Sequence, residues 1–274
     1  MLNYLINSFK RKIARRVTKE YSTTIDSFET KNHGIIKFAN WNNPLVERKI
    51  IPENSIEFFK KFIKEGDLVI DIGANIGHTS VPMSLAAGKL GITISFDPNP
   101  FVFKILEQNA TLNPQFGNIQ PFNFAITDFD NEFFYTSSEA SFNNGGISKE
   151  NLGKHGKYSL DKKIKGINLE TFLKQNYAEK LSKLSFIKID TEGYDKEIIK
   201  SIKNLLTEFR PVVVSECFFK SSPTDRFEHF EVLNSIGYSL FYFNDFELNT
   251  EIIPILKKED MLKWKHYNFY AVKK

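Results

Sequence analysis

Two groups of residues in this chain have the types and spacing for chemistry. The first is Asp71-Ile72-Gly73-Ala74-Asn75-Ile76-Gly77 with Asp97, 24 residues beyond Gly73. Glycines directly after an apolar run let the backbone turn tightly and approach a ligand, and the helix N-terminus that follows favours a negative group. An acid ending the next strand can accept both hydroxyls of a ribose. Asp71, Gly73, Asn75, Gly77 and Asp97 thus describe a pocket for an adenosine-containing ligand. The dinucleotide pattern GxGxxG fails, because Asn75 takes the place of the middle glycine, and GxxxxGK[ST] is absent. A ligand with ribose and adenine but no pyrophosphate, ending in a zwitterionic amino acid, fits better. S-adenosylmethionine has that shape, with Asp71 holding its amino group indirectly and turn amides its carboxylate.

The second group is Lys188, Asp190 and Glu192, at the end of a later apolar run and just before Gly193. An alcohol is barely ionised at neutral pH and needs a base near its oxygen. Asp190 or Glu192 can orient or deprotonate such an acceptor, or can cap the helix beginning near Tyr194. Lys188 has the same two roles open to it, a substrate contact or an ion pair. Glu216 ends the next strand and either positions substrate or pairs with a Lys or Arg. His78 opens a helix, where its charged form is disfavoured, and reads as structural. His33, His155, His229 and His266 are scattered; a metal held by Asp190, Glu192 and a distant His stays open, but no metal is expected. The Gly/Asn/Ser-rich segment Ser141–Ser148, with Asn144, Gly145 and Gly146, suits a polyhydroxylated acceptor or is a surface hairpin. The [DN]PP[YF] clamp that holds a planar amine is absent, the place reading Asp-Thr-Glu-Gly.

The elements that must position these groups alternate. Apolar strands are expected at Leu68–Ile72, Ile92–Phe96, Ile119–Ala125, Leu184–Ile189 and Pro211–Ser215, with helices between, one of them over Tyr194–Leu206. Such βα units imply a parallel sheet covered on both faces. Tyr238–Phe243 and Asn268–Val272, with no long helix between them, imply an antiparallel addition. Ser55 reads as the N-cap of a helix over Ile56–Lys64. An interruption of hairpin, loop and the basic stretch Lys154–Lys165 falls between the third and fourth strands.

The 274 residues include 37 basic and 33 acidic ones, a formal +4. Six of the bases (Lys10, Arg11, Lys12, Arg15, Arg16 and Lys19) lie in an acid-free stretch, residues 1–19. The rest carries 31 bases against 33 acids, which disfavours a nucleic-acid partner. Leu2, Leu5, Ile6, Phe9, Ile13 and Val17 share one face of a helix in that stretch, with Arg16 intruding. The helix fits anionic lipid, the body of the domain, a partner chain or a mitochondrial address, or is simply frayed. Cys217 is the single cysteine, which leaves no intrachain disulfide or Cys-based zinc site. With no transmembrane run and charge placed after the apolar residues, the expectation is a cytoplasmic protein, peripheral at the membrane if the helix binds lipid.

From about residue 50 to 272 the sequence resembles the FkbM-type family of S-adenosylmethionine-dependent methyltransferases. The strings that carry this are VIDIGANIGHTS (Val69–Ser80), SFDPNP (Ser95–Pro100), NFAITD (Asn123–Asp128), FIKIDTEGYDKEIIKS (Phe186–Ser201) and RPVVVSE (Arg210–Glu216). The family commonly has Glu where Asp97 stands, and Asp where Glu170 stands. The resemblance implies an α/β Rossmann-like class I fold with a seven-stranded sheet ordered 3-2-1-4-5-7-6, its last strand antiparallel. It also implies Ala125 and Asp128 at the cofactor, and methyl transfer to a hydroxyl on a sugar, glycan or secondary metabolite. A surface polysaccharide or glycolipid is the expected setting, with a non-catalytic adenosyl-binding scaffold as the contrasting reading. Residues 1–49 are then a basic helix with a lead-in, and 50–274 the methyltransferase-like domain.

Overall fold

The computed structural model describes residues 2–151 and 156–273; Lys154 and His155 lie outside the described residues. Its main sheet has eight strands: β1 (Leu68–Ile72), β2 (Ile92–Phe96), β3 (Ile119–Phe122), β4 (Leu184–Ile189), β5 (Val212–Cys217), β6 (Tyr238–Phe243), β7 (Ile252–Ile255) and β8 (Tyr267–Lys273). Their order is β7-β6-β8-β5-β4-β1-β2-β3. Strands β1 to β5 run parallel, and β8 enters antiparallel between β5 and β6. The expected seven-strand order is thus present with one addition. Edge strand β7 pairs antiparallel with β6, through a run whose Pro254 is tolerated at an edge.

The central strands form because their residues are mostly apolar and buried on both faces, with Asp71 of β1 and Lys188 of β4 as buried charged exceptions. All five residues of β1 are buried, as are the last four of β2 and of β4. The strand order reverses at β1, which has β2 on one side and β4 on the other. A crevice opens there, at the carboxyl ends of the strands. Register also places Lys188 of β4 directly opposite Asp71 of β1, so both side chains leave the same face of the sheet.

Three local expectations are corrected. The helix before β1 spans Glu53–Lys60, with Pro52 at its N-cap; the Ser55 hydroxyl donates instead to the Pro52 carbonyl (2.8 Å). Strand β3 stops at Phe122, and Ala125–Thr127 pairs with Ile164–Asn168 in a second, five-stranded sheet over the crevice side. The expected single helix over Tyr194–Leu206 is two, Asp195–Ser201 and Lys203–Phe209, broken at Ile202. The antiparallel hairpin Thr23–Thr30 and Gly34–Trp41 buries Ile36, Phe38 and Trp41 against Val81, Leu85, Val102 and Ile105. That lead-in therefore shares a core with the helices flanking the glycine turn.

Candidate active site

At the ends of β1, β2 and β4 a cavity of about 290 Å³ opens. Of the residues expected from sequence, Gly73, Asn75, Asp97, Ala125, Asn144, Gly145, Gly146, Asp190 and Glu192 line it. Asp71, Gly77, Asp128, Lys188 and Glu216 are not in its wall; Asp128 is exposed, its carbonyl accepting from the Asn168 side-chain amide (3.1 Å), and the others are placed below.

The turn after β1 is built by backbone contacts. The amides of Gly73 and Ala74 both donate to the Phe96 carbonyl (3.0 Å each), and that of Asp190 donates to the Ile72 carbonyl (3.0 Å). Gly73 has φ +75°, and a Cβ there would run into the Asp190 backbone carbonyl, far inside van der Waals distance. Asn75 takes a left-handed φ of +51°, which aims its amide at Asp97 Oδ2 (2.7 Å). The other oxygen, Oδ1, accepts from the Asn99 amide (2.9 Å). Each Asp97 oxygen thus accepts one N–H and keeps a lone pair for a further donor, which suits the two hydroxyls of a ribose. The residues present fit S-adenosylmethionine on that count.

Beneath the turn, Asp71 is fully buried and spends its carboxylate on the protein. Thr79 and Ser80 donate to Oδ2 (2.9 and 2.6 Å), and Lys188 Nζ lies 3.3 Å from Oδ1. Lys188 reaches Asp190 Oδ2 at 3.2 Å on its other side. Of its two open roles it takes the ion pair: despite desolvation, the charges of Asp190 and Asp71 hold it protonated, its pKa raised. Gly77 faces Leu106, so its lack of a Cβ serves helix packing.

Neither Asp190 nor Glu192 caps the following helix. That helix is tied down by Asp195, which accepts from Thr191 Oγ1 (2.7 Å), Ser215 Oγ (3.2 Å) and the Glu216 amide (3.1 Å). Burial pushes the Asp195 pKa up to about 6. Both carboxylates of the Asp190-Thr191-Glu192 segment are left at the cavity. Burial, then the charge of Asp190, raises the pKa of Glu192 above its ordinary value. Glu192 also has φ +53°, a strained conformation for a non-glycine residue and one that clusters at functional sites.

The partner of Glu216 is neither Lys nor Arg. Its Oε1 lies 2.6 Å from His266 Nε2, just before β8, while its buried Oε2 has no partner. Burial and the charge of Asp190 push the Glu216 pKa up to about 7. His78 lines the cavity, and burial, then Lys188, pushes its pKa down to about 4, so it is neutral there. Among the described residues no group of three His, Cys, Asp or Glu side chains is placed to hold a metal ion.

Sequence reasoning missed Asn99 and Tyr135. The Asn99 side chain accepts from the Phe101 amide (3.0 Å), capping the helix Pro100–Thr111, and donates to the Phe142 carbonyl (2.6 Å). It thereby fastens the Ser141–Gly146 loop to the end of β2. The Asn-Pro pair at 99 and 100 is an N-cap signal that could have found the first of these roles. Tyr135 is buried in the cavity wall. Gly145, at φ +134°, lies so close to the Thr136 carbonyl that a Cβ does not fit.

Asp97→Asn is expected to weaken S-adenosylmethionine binding about thirtyfold, near 2 kcal/mol, because the new NH₂ must face the N–H of Asn75 or Asn99. Burial, only partly offset by those two amides, pushes the Asp97 pKa up to about 7. Ribose hydroxyls donate to the ionised form, so protons compete with the ligand. Affinity should fall about tenfold per pH unit below that value in the wild type, and not in Asp97→Asn. Calorimetric titration across this range checks both expectations.

Comparisons with known proteins bear on the family to which the chain belongs. The family model described as Methyltransferase FkbM domain matches residues 71–249. The hexuronic acid methyltransferase AglP of Haloferax volcanii is 26% identical over 151 residues, 55% of this chain and 56% of that protein. The chain therefore matches a little over half the length of this relative. Among solved structures, a SAM-dependent O-methyltransferase from Thermotoga maritima aligns at 13% identity and a TM-score of 0.44, covering 90% of this chain and 85% of that one. Methyltransferase FkbM from Methylobacillus flagellatus aligns at 10% identity and a TM-score of 0.42, covering 78% and 50%.

Proposed function

The chain belongs to the FkbM methyltransferase family, and from that premise we propose that it methylates a hydroxyl of a sugar or glycan. The observation that carries this is the Asp190-Thr191-Glu192 segment. It brings two carboxylates to the cavity beside the cofactor turn, with neither consumed in capping the next helix. An alcohol needs such a base, and a planar amine would need the clamp this chain lacks. The hexuronic acid methyltransferase among its relatives supports a sugar as acceptor.

S-adenosylmethionine, held by Asp97, Asn75 and the glycine turn, supplies an electrophilic methyl group on a sulfonium when bound. Asp190, fixed by Lys188, positions the acceptor hydroxyl. Glu192 takes its proton as the new C–O bond forms and the C–S bond breaks. Asn144, Gly145 and Gly146 line the cavity from the loop side and offer amides to further hydroxyls. The low-dielectric wall of Tyr135, Phe96 and Phe124 excludes water, and alignment does the rest.

The test is incubation with S-adenosylmethionine and a hexuronate-containing glycan. S-adenosylhomocysteine should form as the glycan gains the mass of one methylene on oxygen. Methyl found only on nitrogen, or cofactor bound with no hydroxyl acceptor turned over, would overturn the reading.

A further inference from the structure

The helix Leu2–Ala14 is docked in the reverse of the usual sense. It is docked near its C-terminal end, where Ala14 is buried and Ser8 and Arg11 on the same side are half-buried, while Tyr4 further along that side is exposed. Its apolar residues point the other way: Leu5 is 58% exposed, Phe9 65%, Ile6 43% and Ile13 36%. On a 3.6-residue helix these two lines lie opposite each other, and Lys10 and Lys12 flank the apolar one on either side. A helix that covers the core of its own domain would bury this stripe. Here the polar side is held and the apolar side is presented.

The end of the helix is fastened to the loop that roofs the cavity. The Ala140 amide donates to the Arg15 carbonyl (3.2 Å), and Arg15 Nε lies 3.5 Å from Glu139 Oε1. Glu20 pairs with Lys104 on the helix beyond β2. No helix among the described residues is long and apolar enough to cross a membrane.

We propose that residues 4–19 are an interfacial anchor for an anionic lipid bilayer, seating the loop that carries Asn143 and Asn144 beside the head groups. The apolar stripe enters the acyl boundary, and Lys10, Lys12, Arg16 and Lys19 meet lipid phosphates. The six bases and no acids of this stretch, against the slight acidity of the remainder, make the attraction local to the helix.

The full chain is sedimented with vesicles of phosphatidylglycerol and phosphatidylcholine, and with phosphatidylcholine alone. The wild type should pellet with the first, less so as salt is raised, and poorly with the second. The double variant Leu5→Glu/Phe9→Glu, both positions being exposed, should bind the anionic vesicles more than about tenfold more weakly. S-adenosylmethionine affinity should be equal in the two proteins, so a failure here is separate from a failure of the methyltransferase reading. Equal pelleting of wild type and variant, or a wild type that stays in the supernatant, overturns the proposal. So does a wild-type dimer in analytical ultracentrifugation that the variant abolishes, since a second copy would then cover the stripe.

Discussion

Replacing Gly73 by alanine should cost more than about 4 kcal/mol of stability, the range reserved for substitutions with a named steric cause. The new Cβ would meet the backbone carbonyl of Asp190, which cannot rotate away as a side-chain end can. Relief requires β4 to slide from β1, and that breaks the Asp190 amide bond to Ile72 and the register that pairs Lys188 with Asp71. An L-residue at φ +75° adds roughly 1 kcal/mol more. Gly146, which also lines the cavity, has open space where a Cβ would stand and no positive φ. Gly146→Ala should therefore change stability by less than about 0.5 kcal/mol. Urea unfolding of both variants checks this: similar midpoints would mean that Gly73 is there for the ligand and not for the close approach of β4.

This contrast marks what was legible in the sequence. A short, largely apolar run followed by a glycine turn, then an acid ending the next such run, are local patterns, and they placed β1, Gly73 and Asp97 together. What depends on register between distant strands was not legible. Lys188 showed two open roles until β4 was laid against β1 and set it opposite Asp71. Glu216 and His266 are fifty residues apart and meet only because β8 inserts antiparallel beside β5. The capping role of Asn99 was open to a local signal that went unread, but its bond to Phe142 was not, since that belongs to the folding of a loop over the crevice. The N-terminal periodicity identified an apolar face, yet periodicity does not say which face a helix docks with. Burial of the Ala14 side answers that, and it inverts the usual expectation.

Glu192→Gln should lower turnover between about a hundredfold and ten-thousandfold, with cofactor affinity unchanged, if it is the base that accepts the hydroxyl proton. Two features separate it from Asp190. Asp190 is engaged by Lys188 at 3.2 Å, which suits the positioning role proposed for it. Glu192 has a raised pKa, caused first by burial and then by the Asp190 charge, which makes it the better proton acceptor. A base works in its ionised form, so wild-type turnover should rise with pH as Glu192 deprotonates, at a pH above that of an ordinary glutamate. Glu192→Gln removes that limb. Asp190→Asn should keep it while raising the acceptor KM, because the hydroxyl is held less well but the base remains. Turnover unchanged in both variants would remove the segment from catalysis. A competent Glu192→Gln beside an inactive His266→Gln would assign the proton to the Glu216–His266 pair, whose carboxylate lies at the end of the adjacent strand β5.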